Sequence, residues 1–203
     1  MLWDFGGVIL ESPFDGFARY EEEHGLAPGF LRGVIATDSD TNAWARLERG
    51  ELDAAEFTAL FEDECQAAGG TVDGAGVLAA LTGRPRPEMV QAVRRCAERL
   101  PTGLVTNNFT LGGSGDARPE LEAILSLFHV VVESSKVGLR KPDPRIYDMM
   151  VETLQVDPKN CVYLDDLGIN LKPARAMGMT TIKVANGAQA IAELEAATGL
   201  RLG

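Results

Sequence analysis

Four short runs beyond residue 100 constrain the fold most. Thr102-Gly103-Leu104-Val105-Thr106, His129–Glu133, Cys161–Leu164 and Thr180–Val184 are apolar or β-branched. Helical patterns separate them, near Glu120–Leu127, Pro144–Leu154, Asn170–Met177 and Ala188–Ala197. Strands alternating with helices imply an α/β fold, a parallel sheet covered by helices on both faces. At the other end of the chain, Leu2-Trp3 runs into Asp4-Phe5-Gly6-Gly7, which reads as a clipped strand entering a tight loop of the same sheet. A length of 203 residues suits one such core carrying an insertion.

The insertion is the stretch from Ser12 to Leu100, where the pattern is helical and no strand-like alternation shows. Asp53-Ala54-Ala55-Glu56 is a capping-box-like start for Phe57, Leu60, Phe61 and Cys65, whose three-and-four spacing makes one apolar face. Gly69-Gly70 ends that helix. Further helices are expected near Phe14–Glu23, Gly29–Ala36 and Pro87–Leu100. In the second half, Asp143-Pro144 supplies an N-cap with proline at the first helical position. The expected division is a core of residues 1–11 and 96–203 with an all-helical cap over 12–95.

Composition removes several classes of function. Lys and Arg number 19 against 30 Asp and Glu, a net charge of -11. Such a chain is a poor binder of nucleic acid or of an anionic membrane surface. No apolar run approaches the ~20 residues of a membrane span, and the amino end lacks the pattern of a signal peptide. Cys65, Cys96 and Cys161 are widely spaced and odd in number, so they read as buried free thiols rather than disulfides or a metal site. The expectation is a cytoplasmic protein, monomeric or homodimeric, acting on a small molecule.

In an open parallel sheet, ligands sit beyond the carboxyl ends of the strands. The residues expected there are Asp4-Phe5-Gly6, Thr106-Asn107-Asn108, the stretch from Ser134 to Pro142, and Asp165-Asp166. One edge thus gathers three carboxylates, a hydroxyl, side-chain amides and a lysine. A carboxylate can attack phosphorus or carbon. Adjacent acids at the end of a buried strand call for a cation, and an all-oxygen donor set suits Mg²⁺.

With these residues in view, the chain resembles the haloacid dehalogenase-like hydrolase superfamily along its whole length, with four motifs in order. They are Asp4-Phe5-Gly6-Gly7-Val8, Leu104-Val105-Thr106-Asn107-Asn108, Arg140-Lys141-Pro142-Asp143-Pro144 and Val162-Tyr163-Leu164-Asp165-Asp166. The run from Leu164 to Arg175 is most similar to the amino-terminal phosphatase domain of soluble epoxide hydrolases and to the domain fused to some acyl-CoA dehydrogenases. The resemblance implies a Rossmann-like core and a Mg²⁺-dependent phosphohydrolase of a small phosphorylated metabolite or lipid phosphate. It implies that Asp4 is the nucleophile and forms an aspartyl-phosphate. Thr106 and Asn107, with Gly6, would bind the phosphoryl group, and Lys141 would stabilise charge. Asp166, with Asp165 as a second contributor, would hold Mg²⁺ together with Asp4 and the carbonyl of Gly6.

One residue departs from the pattern. The family's phosphatases carry a second aspartate two positions after the nucleophile, as acid and base; here it is Gly6. General acid–base help is typically worth ~10²–10⁴-fold. Two alternatives follow: a weakly active or inactive binding or regulatory module, and a metal-independent haloacid-type dehalogenase. Elsewhere His24 and His129 read as structural or surface residues, and Arg140 as an exposed loop charge. Phe14, Phe17, Trp44, Phe57 and Phe61 read as the core of the helical cap. Gly112-Gly113-Ser114-Gly115 reads as a flexible loop.

Overall fold

The computed structural model describes residues 1–81, 83–108 and 119–202. Five parallel strands, β1 (Leu2–Trp3), β2 (Gly103–Thr106), β3 (Val130–Glu133), β4 (Val162–Asp165) and β5 (Thr180–Lys183), form one sheet in the order β3-β2-β1-β4-β5. All four strands expected after residue 100 are present, and the two-residue β1 lies at the centre, pairing with β2 and β4. Successive side chains of a strand point to opposite faces. Trp3, Leu104, Leu164 and Ile182 accordingly join one apolar cluster, while Leu2, Val105 and Tyr163 join another on the opposite face.

Helices cover both faces. The Leu2 side receives Ile146, Tyr147 and Met150 of α9 (Pro144–Leu154) and Leu171 and Ala174 of α10 (Gly168–Ala176). The Trp3 side receives Ile124 of α7 (Pro119–Leu125) and Ala190 and Leu194 of α11 (Gly187–Thr198). It also receives Met89, Ala92, Val93 and Cys96 of α6 (Pro87–Ala97). Helix α6, which the expected boundary at 95/96 places in the cap, buries its apolar stripe in the same cluster as the sheet residues.

The helical insertion has its own apolar cluster, which includes Phe17 and Tyr20 of α1 (Pro13–His24) and Leu31 of α2 (Phe30–Ala36). Trp44 of α3 (Ala43–Glu48), Phe57, Phe61 and Cys65 of α4 (Ala54–Ala67) and Leu78 of α5 (Gly74–Ala80) complete it. The capping box of α4 is present in full, with Asp53 accepting from the Ala55 and Glu56 N–H groups and Glu56 accepting from the Asp53 N–H. Entry and exit strands of the insertion run side by side: Glu11 N–H donates to the Arg84 carbonyl at 2.9 Å and Arg86 N–H to the Ile9 carbonyl at 2.8 Å. The three cysteines are buried free thiols. His129 is structural, its Nδ1 lying 2.9 Å from Thr102 Oγ1, and His24 stacks on Tyr20. Among the described residues no helix is long and apolar enough to cross a membrane. The Gly112-Gly113-Ser114-Gly115 stretch lies outside the described residues.

Candidate active site

The carboxyl ends of β1, β2 and β4 and the loop before α9 converge on a cleft of about 490 Å³ beneath the helical insertion. Asp4, Gly6, Asn107, Lys141 and Asp166 line its floor, and Phe14, Phe17, Ile35 and Trp44 come from the insertion. Lys141 is only 1 % exposed and reaches two carboxylates, Asp4 Oδ1 at 2.6 Å and Asp165 Oδ2 at 2.8 Å. Burial works against its ammonium, but Asp165 and Asp4 outweigh that and raise its pKa. Phe5 N–H donates to the same Asp4 oxygen at 2.7 Å. Among the described contacts, both therefore fall on Oδ1 and none on Oδ2.

Ligand oxygens of Asp4, Asp165 and Asp166 lie within 4.8 Å of one another. The two adjacent acids nonetheless differ. Asp165 is fully buried and saturated with donors: Oδ2 accepts from Lys141, from the Tyr163 hydroxyl at 2.5 Å and from Asn170 Nδ2 at 3.1 Å. Its Oδ1 accepts from the Leu167 N–H at 2.8 Å and again from Asn170. Asp165, expected as a second metal contributor, thus also anchors Lys141. Asp166 forms none of the described ion pairs, and its carboxyl is pushed up to about 6 by burial and by the Asp165 charge. Gly7, at φ +74°, is what lets it approach: a β-carbon there would collide with the Asp166 carboxylate.

Asn107 lines the cleft, but both its amide N–H groups are engaged, by the Lys141 carbonyl at 3.0 Å and by Glu48 Oε2 at 3.2 Å. Its Oδ1 accepts the Lys141 N–H at 2.7 Å. The side-chain amide expected to bind phosphate thus brackets the Lys141 peptide at the edge of the cleft. Thr106 is buried at the end of β2 and does not line the cleft. Arg140, expected as an exposed charge, is largely covered and donates from Nε to Glu48 at 2.6 Å and from Nη1 to the Ser39 carbonyl at 2.9 Å. Glu48 went unsuspected from sequence, because no local pattern marks it.

The sequence matches the haloacid dehalogenase-like hydrolase family over residues 1–178, and the chain belongs to that family. It is 34 % identical over 208 residues to acyl-CoA dehydrogenase family member 10 of Mus musculus, covering 100 % of this chain and 19 % of that protein. It is likewise 34 % identical over 214 residues to bifunctional epoxide hydrolase 2 of Mus musculus, covering 97 % of this chain and 38 % of that protein. The chain thus spans less than two fifths of the length of either relative. A haloacid dehalogenase-family enzyme of Bacteroides thetaiotaomicron, solved in complex with magnesium and inorganic phosphate, shares the fold. The TM-score is 0.61 at 18 % identity, over 89 % of this chain and 91 % of that one.

Proposed function

We propose that the protein is a Mg²⁺-dependent phosphohydrolase that works through an aspartyl-phosphate on Asp4, with a small phosphorylated metabolite or lipid phosphate as substrate. The observation that carries this reading is the placement of Lys141 between Asp4 and Asp165, with one Asp4 oxygen open at the floor of the cleft. Attack by Oδ2 on phosphorus forms the O–P bond and breaks the bond to the leaving oxygen; water then hydrolyses the acyl phosphate and frees Asp4. Lys141 neutralises charge on Asp4 and on the incoming phosphoryl group. The magnesium and phosphate bound by the Bacteroides enzyme support the same ligands here.

The donor set fits Mg²⁺. Hard oxygens of Asp4 and Asp166, with Asp165 as a second contributor and the Gly6 carbonyl, would hold it. When bound, the ion supplies charge neutralisation and orientation for the phosphoryl group. The helical insertion, with its apolar wall over the cleft, acts as the cap that excludes water. The protein is expected to work in the cytoplasm as a monomer or homodimer, without nucleic-acid or membrane partners.

Gly6 favours one second reading, a phosphate-binding module of low turnover, since the position that would carry an acid and base has no side chain. Screening phosphorylated metabolites and lipid phosphates with and without Mg²⁺ tests the proposal. Turnover that chelator abolishes supports it, whereas phosphate-induced thermal stabilisation with background hydrolysis supports the binding module. Halide release from 2-haloacids that chelator leaves untouched would point instead to dehalogenation.

A further inference from the structure

Glu48 ends α3 in the helical insertion, yet it is only 7 % exposed and faces the core. Its oxygens are divided between the two parts of the molecule. Oε1 accepts from Trp44 Nε1 at 3.0 Å within the insertion. Oε2 accepts from Arg140 Nε at 2.6 Å and Asn107 Nδ2 at 3.2 Å, both residues of the core. Asn107 brackets the N–H and carbonyl of Lys141, and Arg140 precedes Lys141 in the chain. One carboxylate from the insertion therefore holds both groups that fix the backbone from which the ammonium reaches Asp4.

We propose that Glu48 is a positioning residue that orients Lys141 toward Asp4 only while the helical insertion is docked. Docking of the insertion and alignment of the ammonium are then one event, because the same oxygen makes both contacts. When the insertion lifts, Asn107 loses an acceptor and Arg140 loses Glu48 and the Ser39 carbonyl, and the Lys141 peptide is held less tightly. Reacting groups displaced by ~1 Å can lose ~10²-fold in rate. In its effect on rate the proposal rests on the phosphohydrolase reading; in its effect on the Lys141 peptide it does not.

Glu48→Gln is the informative change, since it keeps shape but leaves one acceptor oxygen, which cannot serve Trp44 on one side and Arg140 with Asn107 on the other. Two measurements on the full chain decide. Amide hydrogen exchange at Lys141, whose N–H donates to Asn107, is expected to quicken by ~10-fold or more in E48Q while Val105 and Leu164 in the strands keep their protection. Hydrolysis of 4-nitrophenyl phosphate with Mg²⁺ is expected to show kcat reduced ~10-fold or more and KM within about threefold. Arg140→Met combined with E48Q should lose no more kcat than the worse single variant. Unchanged exchange at Lys141, or an equal rise at every amide, overturns the proposal and leaves Glu48 a packing residue. If the wild-type chain hydrolyses no phosphate, the exchange result alone decides, and the phosphohydrolase reading fails separately.

Discussion

Lys141 Nζ lies 2.8 Å from Asp165 Oδ2, and neither side chain is more than 1 % exposed. A buried ion pair gains little over an apolar replacement, but losing one member strands the other in a medium that solvates it badly. Lys141→Met strands both Asp165 and Asp4. It is expected to destabilise the fold by about 3–5 kcal/mol in urea titrations, as unpaired buried charges do, and to abolish hydrolysis. Stability within ~1 kcal/mol of wild type would show that the carboxylates find other partners.

Asp4→Asn keeps an acceptor for Phe5 N–H and for Lys141 while removing the proposed nucleophile. Turnover of an activated aryl phosphate should fall by at least ~10³-fold, with the circular dichroism spectrum unchanged. Undiminished activity would remove Asp4 from the chemistry.

Asp166 carries a like-charge and burial penalty that Mg²⁺ would relieve. At pH 8 with chelator present, Asp166→Asn should stabilise the protein by about 1–2 kcal/mol, allowing for its partial solvent screening, or a few degrees in Tm. Adding Mg²⁺ should raise the Tm of wild type and leave that of the variant in place. Equal Mg²⁺ shifts in both would place the ion elsewhere.

Space exists at position 6 for the acid that this chain lacks. Gly6 does not have a positive φ, and a β-carbon there meets only Pro13 Cδ at 3.4 Å and Cγ at 3.8 Å. Gly6→Asp is therefore expected to fold normally and to raise kcat on an alkyl phosphate on the order of 10²-fold. The gain on 4-nitrophenyl phosphate should be smaller, because that leaving group needs no proton. No gain on either substrate would locate the deficit outside position 6.

Burial pushes the thiols of Cys65 and Cys96 up to about 12 and about 11. Only the thiolate reacts, so at pH 8 no more than ~0.1 % of either thiol is in reactive form, before access is considered. Raising the pH toward those values increases the thiolate fraction. Native protein at pH 8 should thus show no fast reaction with a disulfide reagent, and three thiols should react after denaturation. A fast-reacting thiol in the native state would contradict the burial.

Much of the sheet was legible because each strand is a short apolar run ending in polar residues at the same edge. Helices α3 and α5 were not. The Asn42 cap of α3 starts less than two turns of helix, and α5 begins Gly74-Ala75-Gly76, a poor helix former held by the burial of Val77 and Leu78. The difference between Asp165 and Asp166 left a faint trace: alternation puts Tyr163 and Asp165 on one face, and the tyrosine hydroxyl occupies that carboxylate. Glu48 left none, since its partners Asn107 and Arg140 stand 59 and 92 residues away.

The central place of β1 bears on how the molecule assembles. Its two residues pair with Gly103 and Leu104 on one side and with Tyr163 and Leu164 on the other. Contacts so distant along the chain form slowly, whereas those of the intervening helices are nearer, such as Tyr20 with Asp73 at a separation of 53 residues. During synthesis the helical insertion can therefore condense first, while Asp4 waits beside an unfinished sheet. Asp4 acquires its lysine only when the loop at Lys141 and the strand ending at Asp165 have arrived, so the paired carboxylate is among the last features the nascent chain gains.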